Sequence, residues 1–361
     1  MMAAIFALTT VTVGWVIFSF ITIGWITYFF LSKAAARREL GSEAELAPNR
    51  KPYYDDDTLE GPRLERMQFL GVLLLITIVI GLPLYWVLEP GRQAGAQEAK
   101  VAQFRGWGEG LFATTADGGF NCAGCHGGMK AAGGAAPYPI TDNTGKVTVV
   151  SWTAPALNTI FYRYSHDEVK FVLNYGRPFS PMPAWGAPGG GPMTEQEIET
   201  LIVYLESIQL PPEGCLTDGS FTATGDPSVC DGGVLPEATR GEISAAVDRY
   251  QADNPGASEG EALFNLPIAS GAFSCARCHT QGWSAGQPGV TGQGAFGWNL
   301  TGGATDAHFA NEQDMIAFIK AGSKNGARYG LQGQGSGKMP GFGHIYTADQ
   351  IKAIVEYVRG L

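Results

Sequence analysis

The chain has 361 residues, which is long enough for two or three folding units. It carries 24 Lys and Arg against 34 Asp and Glu, for a net charge of −10. This acidic balance argues against nucleic acid as a partner, because nucleic-acid-binding surfaces are basic.

Two long apolar runs without any charge occupy residues 5–31 and 67–88. Each reaches the length of about 20 residues that a helix needs to span a lipid bilayer. A signal peptide is the alternative for the first run, but that run is too long, has no basic segment before it and is followed by a second run. Residues 1–90 are therefore predicted to form an uncleaved two-helix transmembrane hairpin.

The segment between the two runs predicts the orientation of this hairpin. The connector, residues 33–66, is rich in Lys and Arg, whereas the residues before the first run contain neither. Basic loops stay on the cytoplasmic side of a bacterial membrane. We therefore expect a protein of the bacterial cell membrane with two spans, whose N-terminus and whose chain beyond about residue 90 are extracytoplasmic.

A unit of four parts occurs twice after the second run: a Gly-x-x-x-Phe segment, a Cys-x-x-Cys-His motif, a Met-Pro loop and an amphipathic closing helix. These parts lie at 108–112, 122–126, 181–186 and 193–208 in the first copy, and at 260–264, 275–279, 338–343 and 346–361 in the second. Both closing helices begin with a capping-box pattern, Thr followed three residues later by Glu or Gln. We predict a mainly α protein with similar domains at 91–210 and 255–361, joined by a linker (211–254) that ends in a short helix.

The Cys-x-x-Cys-His motif is compatible with a redox-active dithiol, half of a zinc site or a covalent haem attachment. Zinc needs four ligands, usually from two such pairs in one unit, and a redox dithiol needs a βαβ context that the pattern lacks. The histidine directly after the second cysteine favours haem, whose iron it can bind. We predict two c-type haems, attached through Cys122, Cys125, Cys275 and Cys278 and bound at iron by His126 and His279.

Methionine is the expected sixth ligand of each iron, as in Met/His-ligated cytochromes c. Met182 and Met339 occupy equivalent loops before the closing helices, and we predict that they bind the two irons. Met193 is the weaker alternative for the first haem. Ligation by a second histidine is the other alternative, and the candidates are His166, His308 and His344.

Two further cysteines, Cys215 and Cys230, lie in the linker. In an oxidising compartment such a remaining pair usually forms a disulfide. A bridge across this short loop contributes about 3 kcal/mol in the chain-entropy model. We expect the pair to be bridged, with two free thiols as the alternative.

Each unit resembles a class I cytochrome c domain in its Gly-x-x-x-Phe helix, its Cys-x-x-Cys-His motif, its Met loop and its closing helix with a tyrosine. The resemblance implies that the first and last helices cross, and that a proline carbonyl accepts the N–H of the haem-binding histidine. Pro155 can supply that carbonyl in the first unit, whereas the second unit has WNLTG (298–302) without a proline. The resemblance also implies a haem environment that consists of Phe112, Pro155, Arg177, Tyr204, Phe264 and Tyr357, with Arg177 at a haem propionate.

The whole layout resembles the dihaem subunit III of cbb-type haem-copper oxidases, to which residues 54–91 are also similar. This resemblance implies an electron-transfer subunit and not a catalytic one. The implied partners are the membrane, other subunits of a respiratory complex, and a soluble or membrane-bound cytochrome c donor. Two alternatives stay open: the cytochrome c subunit of a bc-type quinol–cytochrome c oxidoreductase, and a dihaem peroxidase-like enzyme with an open iron site.

Overall fold

The computed structural model describes residues 15–31, 61–142, 144–213, 234–291, 293–294 and 296–361, without the side chains of Pro62 and Arg63. It contains two compact units, Met1–Arg92 and Gln93–Leu361. Most of the predicted connector lies outside the described residues. Cys215 and Cys230 do so as well, so their disulfide stays a prediction.

Two helices carry the apolar runs: α1 (Trp15–Leu31) and α2 (Pro62–Phe112). Among the described residues, only the helix Leu64–Phe112 is long and apolar enough to cross a membrane, because the described part of α1 is shorter. Two polar side chains in these runs satisfy their hydroxyls locally, since Thr22 and Thr77 each donate to a carbonyl four residues earlier at 2.8 Å. The described residues therefore contain one candidate membrane span, and the predicted two-helix hairpin is not confirmed.

The second unit contains short helices and two small antiparallel hairpins. Its remaining helices are α3 (Cys122–His126), α4 (His166–Tyr175), α5 (Glu195–Ser207), α6 (Glu237–Asp253), α7 (Glu259–Phe264), α8 (Ile268–Gly271), α9 (Ala276–His279), α10 (Glu312–Ala321) and α11 (Ala348–Arg359), and its strands are β1 (Gly134–Thr141), β2 (Val147–Ala154), β3 (Arg328–Tyr329) and β4 (Gly333–Gln334). Single 3₁₀ turns lie at Thr115–Asp117, Ile160–Tyr162, Ala187–Gly189 and Trp283–Ala285. The helix predicted at the end of the linker is α6, and it is longer than the sequence pattern indicates.

Each domain closes where its first helix crosses its last one, and a glycine makes the close approach possible. A Cβ atom on Gly108 of α2 would collide with the Thr200 carbonyl of α5, and one on Gly260 of α7 would collide with the Ala353 carbonyl of α11. One turn later the ring of a phenylalanine packs against a tyrosine. The ring centroids are 5.3 Å apart for Phe112 and Tyr204, and 5.4 Å apart for Phe264 and Tyr357.

Both closing helices begin with the predicted capping boxes. In α5 the Thr194 hydroxyl accepts the backbone N–H of Glu197, and in α11 the Thr347 hydroxyl accepts that of Gln350. The Glu197 and Gln350 side chains in turn accept the backbone N–H groups of Thr194 and Thr347. Backbone donors at the start of each helix are thereby satisfied. A third capping box, which begins at Ser165, starts α4.

A β-hairpin that the sequence analysis did not predict lies between the first Cys-x-x-Cys-His motif and Pro155. Strands β1 and β2 pair in antiparallel register from Gly134 opposite Ala154 to Thr141 opposite Val147. Asp142 shapes the turn, because its carboxylate accepts the backbone N–H groups of Thr144 and Lys146 at 2.8 and 2.9 Å. The hairpin buries Trp152 in a small cluster that includes Ala285 of the other domain.

The two cytochrome-like halves share a core. Ala156 and Tyr162 belong to the first half of the sequence, yet they are buried in the hydrophobic core of the second half. The backbone also pairs across the boundary, where the Ala156 N–H donates to the Ala269 carbonyl at 3.1 Å and the Gly294 N–H donates to the Phe179 carbonyl at 2.8 Å. Residues Gln93–Leu361 therefore form one compact unit.

Candidate functional site

Both Cys-x-x-Cys-His motifs open onto one large cavity within the second compact unit. Its volume is about 970 Å³, at the upper end of the roughly 300–1,000 Å³ of ligand and cofactor sites. The four motif cysteines, both motif histidines, Met182 and Met339 all line it. The structure thus brings together every residue that the sequence predicts to attach a haem or bind its iron.

The first motif presents His126 in a fixed orientation. The motif forms the short helix α3, which lies between two residues of positive φ, Asn121 (65°) and Gly127 (87°). The imidazole Nδ1 lies 2.8 Å from the carbonyl oxygen of Pro155, the partner that the sequence predicts. Burial lowers the pKa of His126 to about 4, although the Pro155 bond opposes this shift. The ring is therefore neutral, donates its Nδ1–H to Pro155 and keeps Nε2 as the available ligand atom.

The second motif holds His279 in the same way but with a different residue. Its Nδ1 lies 2.7 Å from the carbonyl oxygen of Trp298, which stands where the second unit lacks a proline. Gly297, directly before Trp298, faces the ring so closely that an added Cβ atom would lie 2.6 Å from Nδ1. Burial lowers the pKa of His279 as well. A backbone carbonyl suffices for this role, so proline is not needed.

The motif thiols have the wrong environment for a redox dithiol. Burial raises the pKa of Cys122 to about 11 and that of Cys275 to about 12. A reactive dithiol needs a cysteine whose pKa is lowered, because the thiolate is the nucleophile. In the part of the chain that the structure describes, no three His, Cys, Asp or Glu side chains cluster as a metal site. The raised pKa values of Cys122 and Cys275 favour haem attachment over the dithiol interpretation.

The two methionine loops have matching backbone geometry. Gly176 follows α4 with a φ of 68°, and the next N–H, that of Arg177, donates to the Met182 carbonyl at 3.0 Å. Gly322 follows α10 with a φ of 73°, and the next N–H, that of Ser323, donates to the Met339 carbonyl at 2.9 Å. Helix α4 with Gly176 and helix α10 with Gly322 thus also belong to the repeated unit. The four-part unit predicted from the sequence did not include them.

The alternative ligands differ in their access to the cavity. Met193 is fully buried in the first core and does not line the cavity. His166 lies 3.2 Å from Glu199 and also stays outside the lining. His308 does line the cavity, beside the rings of Trp298 and Tyr329.

The predicted haem environment divides into two layers. Phe112, Pro155, Arg177 and Phe264 line the cavity directly. Tyr204 and Tyr357 lie behind the two phenylalanines, and the Tyr204 hydroxyl donates to the Met129 carbonyl at 2.6 Å. Two arginines that the sequence analysis did not single out, Arg163 and Arg277, also line the cavity. For Arg277, its position inside the Cys-x-x-Cys-His motif could have indicated that it lines the cavity, whereas Arg163 has no such signal in the sequence.

Comparison with known families agrees with this geometry in both domains. Residues 108–205 match the family model of cytochrome c oxidase, cbb3-type, subunit III, and residues 257–361 match that of cytochrome c. This chain is a dihaem cytochrome c that resembles the cbb3-type subunit III. Neither the curated proteins nor the solved structures contain a match to the dihaem cytochrome.

Proposed function

We propose that the dihaem cytochrome is the electron-transfer subunit of a membrane-bound haem-copper oxidase and passes electrons to the catalytic subunit. The observation that carries this proposal is the single cavity that both Cys-x-x-Cys-His motifs and both loop methionines line. Two haems attached there would share one cavity, which suits the transfer of an electron from one haem to the other. The match of residues 108–205 to a cbb3-type subunit III supports the oxidase as the recipient.

Each haem would be held by residues from one half of the chain. Cys122, Cys125, His126 and Met182 hold the first, and Cys275, Cys278, His279 and Met339 hold the second. Bound haem supplies one-electron chemistry at its iron. The carbonyls of Pro155 and Trp298 would orient the histidines, and apolar side chains form most of the cavity lining. A methionine ligand favours the ferrous state and raises the reduction potential.

The membrane anchor would be the two-helix hairpin. Helix α2 has the length and composition of a span, and we propose α1 as the second span because the apolar run around it is longer than its described part. The basic connector supports an orientation with the N-terminus and both haem domains on the extracytoplasmic side of a bacterial cell membrane. A soluble or membrane-bound cytochrome c would donate electrons there, where Cys215 and Cys230 can form their disulfide.

Purification in mild detergent tests the proposal. We expect a haem-copper catalytic subunit to co-purify, and the mass of the denatured chain to exceed its sequence mass by two haems. A cytochrome b and an iron–sulfur protein in its place would support the bc-type alternative. Carbon monoxide binding by the resting, unmutated dihaem cytochrome would support the peroxidase-like alternative with an open iron site.

A further inference from the structure

The charged side chains that line the cavity are opposite in sign to the net charge of the chain. Four cationic side chains line it: Arg163, Arg177, Arg277 and Lys338. No Asp or Glu occurs among its described lining residues, although acids outnumber bases in the chain by 34 to 24. An acidic protein thus lines this cavity with positive charge alone. We call these four residues the basic cluster.

Backbone carbonyls and aromatic rings hold the guanidinium groups of the basic cluster. Arg163 donates from Nη2 to the Ala156 carbonyl at 2.8 Å, and its buried Nε has no hydrogen-bond partner among the described residues. Arg177 lies over the ring of Phe296, with 5.2 Å between its Cζ and the ring centroid. These contacts fix the positions of the guanidinium groups without neutralising them.

The basic cluster is built across the boundary between the two cytochrome domains. Arg277 of the second domain donates from Nη2 to the Thr153 carbonyl of the first at 2.7 Å. Arg177 of the first domain donates from Nη1 to the Lys338 carbonyl of the second at 3.4 Å. Arg177 and Arg277 thus each donate to a backbone carbonyl of the other domain.

Within the described part of the chain, no carboxylate lies within ion-pair distance of any member of the cluster. A guanidinium group stays protonated at neutral pH, so the three arginines of the cluster keep their charge. Burying unpaired charges is costly, and a carboxylate that an arginine contacts in a bidentate manner removes most of that cost. The cavity therefore has the chemistry of a carboxylate receptor.

We propose that the basic cluster binds the propionate carboxylates of both haems, so that one set of cations from two domains serves two cofactors. This inference rests on the proposed function, because that function places the haems in the cavity. Each haem has two propionates, so four carboxylates meet four cations. The orphaned Nε of Arg163 is a donor that a propionate can satisfy. Fixed positive charge also disfavours the more positive ferric iron, so the cluster raises both reduction potentials.

Spectroelectrochemical titration of the purified, haem-loaded protein tests the inference with Arg177→Gln and Arg277→Gln, one variant from each domain. We expect both haem midpoints to fall in each variant. The ferrous-to-ferric ratio at fixed potential should decrease about tenfold, which corresponds to about 59 mV for one electron. Arg277→Lys should keep most of the wild-type potential, because lysine keeps the charge. Arg249→Gln on exposed α6 removes the same charge outside the cavity and should leave both midpoints unchanged.

The mass of each variant, measured in parallel, must include two haems. If Arg277→Gln fails to fold, the half-buried Arg177 variant decides the outcome. A fall in only one midpoint overturns the sharing of the cluster. Midpoints that move no further than in Arg249→Gln, or that fall as far in Arg277→Lys as in Arg277→Gln, overturn the electrostatic role. Loss of haem from the unmutated chain would instead contradict the proposed function.

Discussion

Met182 and Met339 occupy the same place in two repeats, and single substitutions can show whether each binds an iron. We expect Met182→Ala or Met339→Ala to open one iron site, because alanine has no donor atom. The ferrous variant should bind carbon monoxide at one haem, and the potential of that haem should fall because the thioether no longer favours ferrous iron. The carbon monoxide difference spectrum measures the first effect, and a redox titration measures the second.

Met193→Leu is the matched control for these variants. Met193 is fully buried in the first core and outside the cavity lining, and a Leu-for-Met exchange in a core costs less than about 1.5 kcal/mol. Its spectrum should equal that of the unmutated protein. Carbon monoxide binding by Met193→Leu, together with none by Met182→Ala, would show that Met193 and not Met182 binds the first iron.

At the scale of single residues, the sequence predicted most of the site because the motifs are local. The two cysteines and the histidine are adjacent in sequence, and the methionine loop stands at a fixed place before the closing helix. The partner of His279 could not be found in this way. Trp298 contributes its backbone carbonyl, and any residue type has one, so no side-chain pattern marks it.

At the scale of helices, alanine substitutions at two glycines of α2 distinguish the effect of helix packing from that of helix propensity. Gly108→Ala places a methyl group against the Thr200 carbonyl, and overpacking of this kind costs about 1–3 kcal/mol. Gly110→Ala, two residues later in the same helix, meets no atom within 4 Å and should stabilise the helix by about 0.5–1 kcal/mol. Denaturant unfolding followed by circular dichroism measures both changes. Equal effects of the two substitutions would contradict the close helix crossing.

The helices were largely predictable, whereas the hairpin was not. Capping boxes and apolar periodicity act within one or two turns, so the ends of α5 and α11 could be read from the sequence. Strand β2 does contain a β-branched run before Trp152, and a turn precedes it. The contact that buries this strand comes from Ala285, which lies far along the chain in the other domain. Sequence spacing does not encode such a long-range partner.

At the scale of the whole second unit, Trp152 tests whether the two domains depend on each other. Its side chain is only 4% exposed, in the cluster that joins the hairpin to Ala285. Trp152→Ala should cost about 3–5 kcal/mol and should separate the thermal unfolding of the two domains into distinct transitions. Val149→Ala alters the same hairpin at a side chain that is 68% exposed, and it should change stability by no more than about 0.5 kcal/mol. Differential scanning calorimetry distinguishes the two results, and a single unshifted transition in Trp152→Ala would show that the hairpin does not couple the domains.

The repeat predicted two domains but not how they meet. Each domain is encoded by its own local pattern, while the packing of one domain on the other depends on residues such as Tyr162, which the first half of the chain contributes to the second core. Long-range packing therefore had to come from the structure.

The shared cavity also bears on how two bound haems would influence each other. Two redox centres in one cavity within the protein are less screened from each other than two centres separated by water. An electron on one centre therefore repels a second electron from the other, and the half-reduced form is populated over a wider range of potential than for isolated centres. The dihaem cytochrome would accordingly take up its two electrons in separate one-electron steps.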